Sequence, residues 1–305
     1  MVSAITAFFL PENWDPQRER LEQLVASGEI HDVTVVQVTP GPPPQLPVGP
    51  WRYIVPPAGM LSVPYSYWNN RAIPELEGDW VLHLNDDVLP VPGSIPLMQK
   101  WLEEHPEAGM IGGDFWFGEV PNPAQATPRC DEILNVMPAG LMLSQYGLFR
   151  RPLWDQVQFD ESPPLGELGW GSEDNDVGCQ MRTLGLPIYM IQQVRCGDQV
   201  GPFYYCHLHI GVHASGDRLA DLGIDVGATR KTRWNYANEK WGPTELPDGH
   251  FWDWEREDDY EGPGRYSLRA TVELAHPPGH AFHIKIGDGT TRHYMLEPDF
   301  TWKPQ

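Results

Sequence analysis

The sequence predicts an α/β fold with a mainly parallel central sheet and a small β-rich C-terminal appendage. Three observations carry this. Short apolar strands alternate with helix-period segments over the first 113 residues. The strand Trp80–Leu84 runs straight into "NDD", an acidic end of the kind found beyond the carboxyl edge of a parallel sheet. After "NEKWG" (238–242) the composition changes, and strand-like runs continue without a further motif. These observations divide the chain into a domain at 1–242 and an appendage at 243–305.

Each element has a local reason. Val2–Leu10 is a continuous apolar run, as in a buried strand. Residues 16–27, "PQRERLEQLVAS", place Leu21, Leu24 and Val25 at helical spacing, and Gly28 ends the run. Asp32–Val38 is a second strand, a Pro/Gly loop fills 40–50, and Trp51–Val55 is a third strand. A helix over 66–76 carries Asn69, Asn70 and Arg71. Trp80–Leu84 is the fourth strand, 95–105 a helix, and 109–113 leads a strand. Residues 114–132 are a Pro-rich loop, and 133–151 return to strand character. Residues 172–185, "SEDNDVGCQMRTLG", predict a helix with Ser172 as N-cap, an apolar face of Val177, Met181 and Leu184, and Gly185 as its stop. Residues 203–213, "FYYCHLHIGVH", predict a histidine-bearing strand. The runs 265–276 and 280–296 predict two or three strands with a "DGT" turn.

Composition narrows the function. The chain has 305 residues, 41% hydrophobic and 21% charged, as expected of an ordinary globular protein. Its formal net charge of −21 argues against broad contact with nucleic acid or an anionic membrane surface. A nucleic acid partner would need a local basic groove, for which Arg129, Arg150 and Arg151 are the candidates. No apolar run is long enough to span a membrane. The four cysteines form no C-x-x-C pair, which predicts free thiols and a cytoplasmic location. Thirteen tryptophans are many, and exposed ones stack well on sugar rings or bases.

Two acidic clusters hold the chemistry. Asn85, Asp86 and Asp87 close a buried strand, and adjacent carboxylates resist burial unless something pairs with them. Either water solvates them at a turn or a cation sits between them. Glu173, Asp174 and Asp176 follow "GWG", a tryptophan between glycines that suits a loop stacking on a ring. Acidic residues in a first helical turn are also favoured by the helix dipole alone. His207, His209 and His213 follow about 30 residues later; His207 and His209 share a strand face and could ligate a metal, or be ordinary core or surface histidines.

The order "LNDDV", "FRRPLWDQVQFDE", "GWGSEDNDVGCQMRTLG", a late histidine and "NEKWG" resembles the inverting family 2 glycosyltransferases of the GT-A fold. The "GWGSEDND" block is also similar to the Trp-Gly-x-Glu-Asp-x-Asp region of the β-1,4-galactosyltransferases. The resemblance covers about residues 2–242. It implies a metal-dependent transfer of a sugar from a nucleotide-diphosphate sugar to a hydroxyl of a glycan or other acceptor, with inversion.

The resemblance also implies roles. Asp87 matches the last Asp of the family's DXD element, the direct ligand of Mn²⁺ or Mg²⁺, and Asp86 and Asn85 match positions that contact the ribose or support the metal. The histidine that completes the metal shell falls best on His209, with His207 and His213 as alternatives. Asp174 matches the catalytic base, Glu173 and Asp176 match neighbours holding the acceptor hydroxyl or the loop, and Trp170 matches a sugar-contacting aromatic. Arg71 lies where the family often has an arginine near the donor, although a solvated helix arginine fits equally. Many members end the second strand with a base-reading Asp. Here that place reads "VQVTPG", so Pro11, Glu12 or Asn13 after the first strand would line the base pocket instead. The competing reading is a non-catalytic carbohydrate-binding or structural protein on the same fold.

Overall fold

A computed structural model describes residues 1–9, 11–38, 41–55, 64–113, 129–139, 145–167, 172–203, 206–207, 220, 223–241, 244–245, 251–252, 281–285, 291–296 and 302–304. The first half runs β1 (Val2–Phe8), α1 (Pro11–Ala26), β2 (Asp32–Gln37), β3 (Trp51–Ile54), α2 (Tyr65–Ala72), β4 (Trp80–Leu84), β5 (Val88–Leu89), α3 (Ser94–Glu104) and β6 (Met110–Gly113). It continues through β7 (Glu132–Ala139), β8 (Tyr146–Arg150), α4 (Glu173–Thr183), β9 (Ile188–Cys196), β10 (Gln199–Pro202), β11 (Cys206–His207) and a helix labelled α5 (Val226–Trp241). Beyond Gly242 lie β12 (Thr244–Glu245), β13 (Phe251–Trp252), β14 (Ala281–Lys285), β15 (Thr291–Leu296) and β16 (Trp302–Pro304).

The central sheet has nine strands, ordered β10-β9-β6-β8-β4-β1-β2-β3, with β7 also paired to β9. β4, β1, β2 and β3 are mutually parallel, β8 runs against both β4 and β6, and β6 and β9 are parallel again. The α/β class and mainly parallel sheet agree with the GT-A expectation. Beyond residue 242, β12 pairs with β13, and β14, β15 and β16 form a three-stranded antiparallel sheet. The strands expected over 280–296 are present, whereas the run 265–276 and the "DGT" turn lie outside the described residues.

Side chains alternate across the sheet into two apolar layers. Ala4, Phe8, Val33, Val35, Leu82 and Leu84 pack with Leu21 and Leu24 of α1 and Met98 and Leu102 of α3. Ile5, Val36, Val81 and Phe149 pack with Trp68 of α2, Trp154, and Val177 and Met181 of α4. Both faces of the sheet are therefore covered, which is why its central strands read as unbroken apolar runs.

Three expectations about boundaries change. α1 begins at Pro11, five residues before the expected start, because Pro11 supplies a helix-ready φ at the first position and the helix runs on through Pro16. Ser172 is the N-cap of α4 by its backbone only. Its carbonyl accepts from Asp176 N–H at 2.9 Å, but its φ of +72° is left-handed and its side chain makes no capping bond. Leu184 is exposed, because α4 ends at Thr183 and Gly185, at φ +71°, turns the chain away before the apolar repeat continues. Val177 and Met181 are buried as expected.

Candidate active site

The sheet order creates the first half of the site. From β1 the chain builds outward to β2 and β3, then returns to place β4 on the other side of β1. The carboxyl ends of β1 and β4 therefore flank a topological switch point, where open α/β sheets leave a crevice for ligands. Pro11 and Glu12 open α1 just beyond β1, and Asn85, Asp86 and Asp87 follow β4. Sequence positions more than 70 residues apart are thus delivered to one edge.

Gln17 of α1 ties these two ends together. Its Oε1 accepts from Thr6 Oγ1 at 3.2 Å, and its Nε2 donates to Asn85 O at 2.5 Å and Val88 O at 3.1 Å. The Asp86–Asp87 turn is held from behind by backbone bonds from Asn85 N–H to Gln145 O (3.1 Å) and Val88 N–H to Asn85 O (3.4 Å). Asn85 and Asp86 are half-buried and Asp87 is buried. In the first turn of α1, Asn13 is buried, and neither its Oδ1 nor its Nδ2 has a hydrogen-bond partner. A buried amide with both functions unmet is an expensive arrangement that a polar ligand or water would relieve.

β11 brings the histidine region to the same edge. It pairs antiparallel with β5, setting Cys206 across from Leu89 and His207 across from Val88, the residue after Asp87. His209, His213 and Trp170 lie outside the described residues. The pairing brings the start of the histidine run to the acidic turn, a relation that no local signal in the sequence carries.

The second acidic cluster opens α4. Asp174 is half-buried and accepts a 2.9 Å bond from Asn175 N–H. Burial, reinforced by the neighbouring Glu173 charge, pushes its carboxyl up to about 7. Glu173 is itself buried and paired with Arg233 Nη1 at 2.9 Å, while Arg233 Nη2 donates to Glu167 O at 2.5 Å. Asp176 is fully buried. It accepts from Gln180 Nε2 (2.8 Å) and Trp241 Nε1 (2.6 Å), and pairs with Lys240 Nζ (2.8 Å). Of the three acids, Glu173 and Asp176 are therefore committed to α5, and Asp174 alone has neither an ion pair nor a side-chain donor in the described contacts. Arg233 was not singled out from sequence, and Lys240 and Trp241 were noted only within the "NEKWG" motif, with no role assigned.

A third acid completes this anchor. Asp160 accepts from Tyr236 at 2.6 Å and pairs with Lys240 at 2.7 Å. Burial alone would raise its carboxyl, but these bonds override that effect and hold it at about 2. The next residue, Glu161, pairs with Arg71 at 2.7 Å and accepts from Asn70 at 2.9 Å. Arg71 is an exposed helix arginine that stacks on Tyr67 and pairs with Glu161. Tyr65 and Phe159 extend the contacts to His83 of β4, whose Nε2 lies 2.7 Å from Asn69 Oδ1. Each arginine considered for a basic groove has a partner within the chain. Arg129 pairs with Glu29, Arg150 stacks on Trp80 and bonds Leu102 O, and Arg151 bonds Gly78 O.

The described residues define an α/β protein with an acidic turn at a sheet switch point and, on α4, a carboxyl raised by burial. No family model matches the chain, and no curated protein matches it. Solved structures similar to it include S. aureus TarS 1-349, at 14% identity over 78% of this chain and 70% of that one, with a TM-score of 0.44. Glucosyl-3-phosphoglycerate synthase from Mycobacterium tuberculosis in complex with phosphoglyceric acid is similar at 15% identity over 74% of this chain and 81% of that one, TM-score 0.46. GalNAc-T7 with UDP, GalNAc and Mn²⁺ is similar at 9% identity over 63% of this chain and 42% of that one, TM-score 0.44. The likeness is one of outline, and the functional reading rests on the chain's own residues. No helix among the described residues is long and apolar enough to cross a membrane.

Proposed function

We propose that this chain is a metal-dependent, inverting glycosyltransferase that moves a sugar from a nucleotide-diphosphate donor to an acceptor hydroxyl. The observation that carries the proposal is Asp174: a half-buried carboxyl poised near neutrality, between two acids fixed by ion pairs. A general base works best with a pKa near the working pH, and here burial supplies the shift. The motif resemblance independently assigns that role to the same residue.

The donor would lie at the switch point. Asn13, Pro11 and Glu12 at the start of α1 would line the base pocket, and Asn85 and Asp86 would contact the ribose. Asp87 and a histidine of the 207–213 run would hold Mn²⁺ or Mg²⁺, for which hard carboxylate oxygens are suitable ligands. A bound cation would offset the diphosphate charge of the leaving group. Asp174 would take the proton of the acceptor hydroxyl as its oxygen attacks the anomeric carbon from the face opposite the leaving diphosphate. Glu173 and Asp176 would keep α4 seated rather than touch the acceptor. Residues 243–305 would serve acceptor use or assembly.

The test is a panel of nucleotide sugars measured for stabilisation against thermal unfolding, with Mn²⁺ and with EDTA. The true donor should raise stability as ligand linkage requires, and only with metal present. Release of nucleoside diphosphate in the presence of acceptor separates this reading from a non-catalytic sugar binder, which would bind without metal and release nothing.

A further inference from the structure

A second cluster of metal-type ligands sits at the opposite edge of the sheet. His31 precedes β2, Asp32 opens it, and Glu77 lies ahead of β4; one ligand atom from each falls within 4.8 Å of the other two. β1, β2 and β4 are parallel, and Ser3 pairs with both Asp32 and Val81. The cluster therefore lies at the amino ends of these strands, roughly 15–20 Å from the turn beyond β4, at about 3.3 Å per strand residue.

Asp32 is 5% exposed. Its Oδ2 accepts from Ser3 Oγ at 3.0 Å, while its Oδ1 is buried with no hydrogen-bond partner. A buried anionic oxygen with no donor is costly, and a cation is the partner that removes the cost. The surroundings are built rather than incidental. Ser3 Oγ also accepts from Gly78 N–H at 2.8 Å, and a Cβ on Gly78 would meet Ser3 N at 2.7 Å. Only glycine lets residues 77–78 close on the strand starts, and that closure brings Glu77 to Asp32. His31 is held by its backbone N–H bond to Val2 O at 2.8 Å, leaving its ring at the exposed edge.

We propose that His31, Asp32 and Glu77 form a second cation site, selective for a transition-metal ion of the Zn²⁺ type, separate from the donor-site metal. One imidazole with two carboxylates suits borderline ions better than Mg²⁺ or Ca²⁺. A zinc tetrahedron with ligand bonds near 2.1 Å has ligand–ligand edges of about 3.4 Å, so the group must close by at most ~1.4 Å. His31 and Glu77 are exposed, while Asp32 is the buried fixed point. Arg52 holds Glu77 through Oε1, which leaves the second carboxylate oxygen for the metal. The bound ion would pin the segment before β4 to the start of β2.

The test uses the full chain, stripped with EDTA and dialysed, then titrated with ZnCl₂ alone by calorimetry and by thermal unfolding. The same titration is run on Asp87→Ala, His31→Ala and Glu77→Gln. The last two alter exposed side chains, and circular dichroism checks that the fold is kept. The proposal expects one Zn²⁺ per chain, bound unchanged in Asp87→Ala, and weakened about tenfold or more in each of the other two. Unchanged binding in both His31→Ala and Glu77→Gln, or weak multi-site binding to surface acids in all four proteins, overturns it. Loss of Zn²⁺ binding only in Asp87→Ala also overturns it, and would assign the ion to the donor site.

Discussion

Trp241 Nε1 donates a 2.6 Å hydrogen bond to the fully buried Asp176 Oδ1, joining two motifs 65 residues apart. Lys240 pairs with the same oxygen and, through Asp160, with a third motif. Thus "FDE", "SEDND" and "NEKW" form one polar anchor that seats α4. Removing the cation leaves a buried carboxylate short of its partner. Lys240→Met should lower unfolding stability by about 3 kcal/mol, read by denaturant titration. The double variant Lys240→Met with Asp176→Asn should recover part of that loss, since the fully buried Asp176 no longer carries a charge.

Asp160 makes the anchor acid-sensitive. Its carboxyl sits at about 2 in the folded chain, below the ordinary value of 3.8. A depressed folded pKa adds stability that is complete above about 4 and is lost as the pH falls toward 2. The full shift would correspond to about 2 kcal/mol at neutral pH, and solvent screening of the partly exposed Lys240 pair makes the expected contribution smaller. Asp160→Asn should flatten the stability–pH curve over that window; an unaltered slope between pH 4 and pH 2 would contradict the assignment.

Asp87 should be required for the metal response of the donor site. Asp87→Ala is expected to abolish the effect of Mn²⁺ and EDTA on donor binding while the fold persists, measured by calorimetry with the donor found in the nucleotide-sugar panel. Donor binding that keeps its full metal response would remove Asp87 from the proposed ligand set.

The elements that define the fold class were legible because apolar periodicity marks them. β1, β2 and β4 read as buried strands, and α2, α3 and α4 show helical spacing. The start of α1 was not legible, since Pro11 and Pro16 both resemble breaks and only packing of Trp14 shows that the helix includes them. α5 escaped for a different reason. "VGATRKTRWNYANEKW" has no apolar stripe, and its contacts to the domain run through Arg233, Tyr236, Lys240 and Trp241. Those four do recur at helical spacing, so a polar stripe facing the acids of α4 was the available signal. The pairing of His207 with Val88 had none, because strand partners 119 positions apart leave no local trace. The two acidic motifs were found as pairs of neighbours, but burial separates their members. Glu173 and Asp176 are ion-paired anchors, and Asp174 is the carboxyl pushed toward neutrality.

The most direct test of the central claim is the initial rate of sugar transfer by Asp174→Asn, measured across pH beside its donor affinity. Asp174 must be ionised to accept a proton, so wild-type kcat/KM should rise with pH through about 7 and level off above it. Asn keeps the shape and removes the base, so transfer should fall by roughly 10²–10⁴-fold and lose that rise. Donor and metal affinity should stay near wild type, because the base acts on the acceptor. Near-normal transfer by Asp174→Asn, with the pH profile intact, would contradict the account.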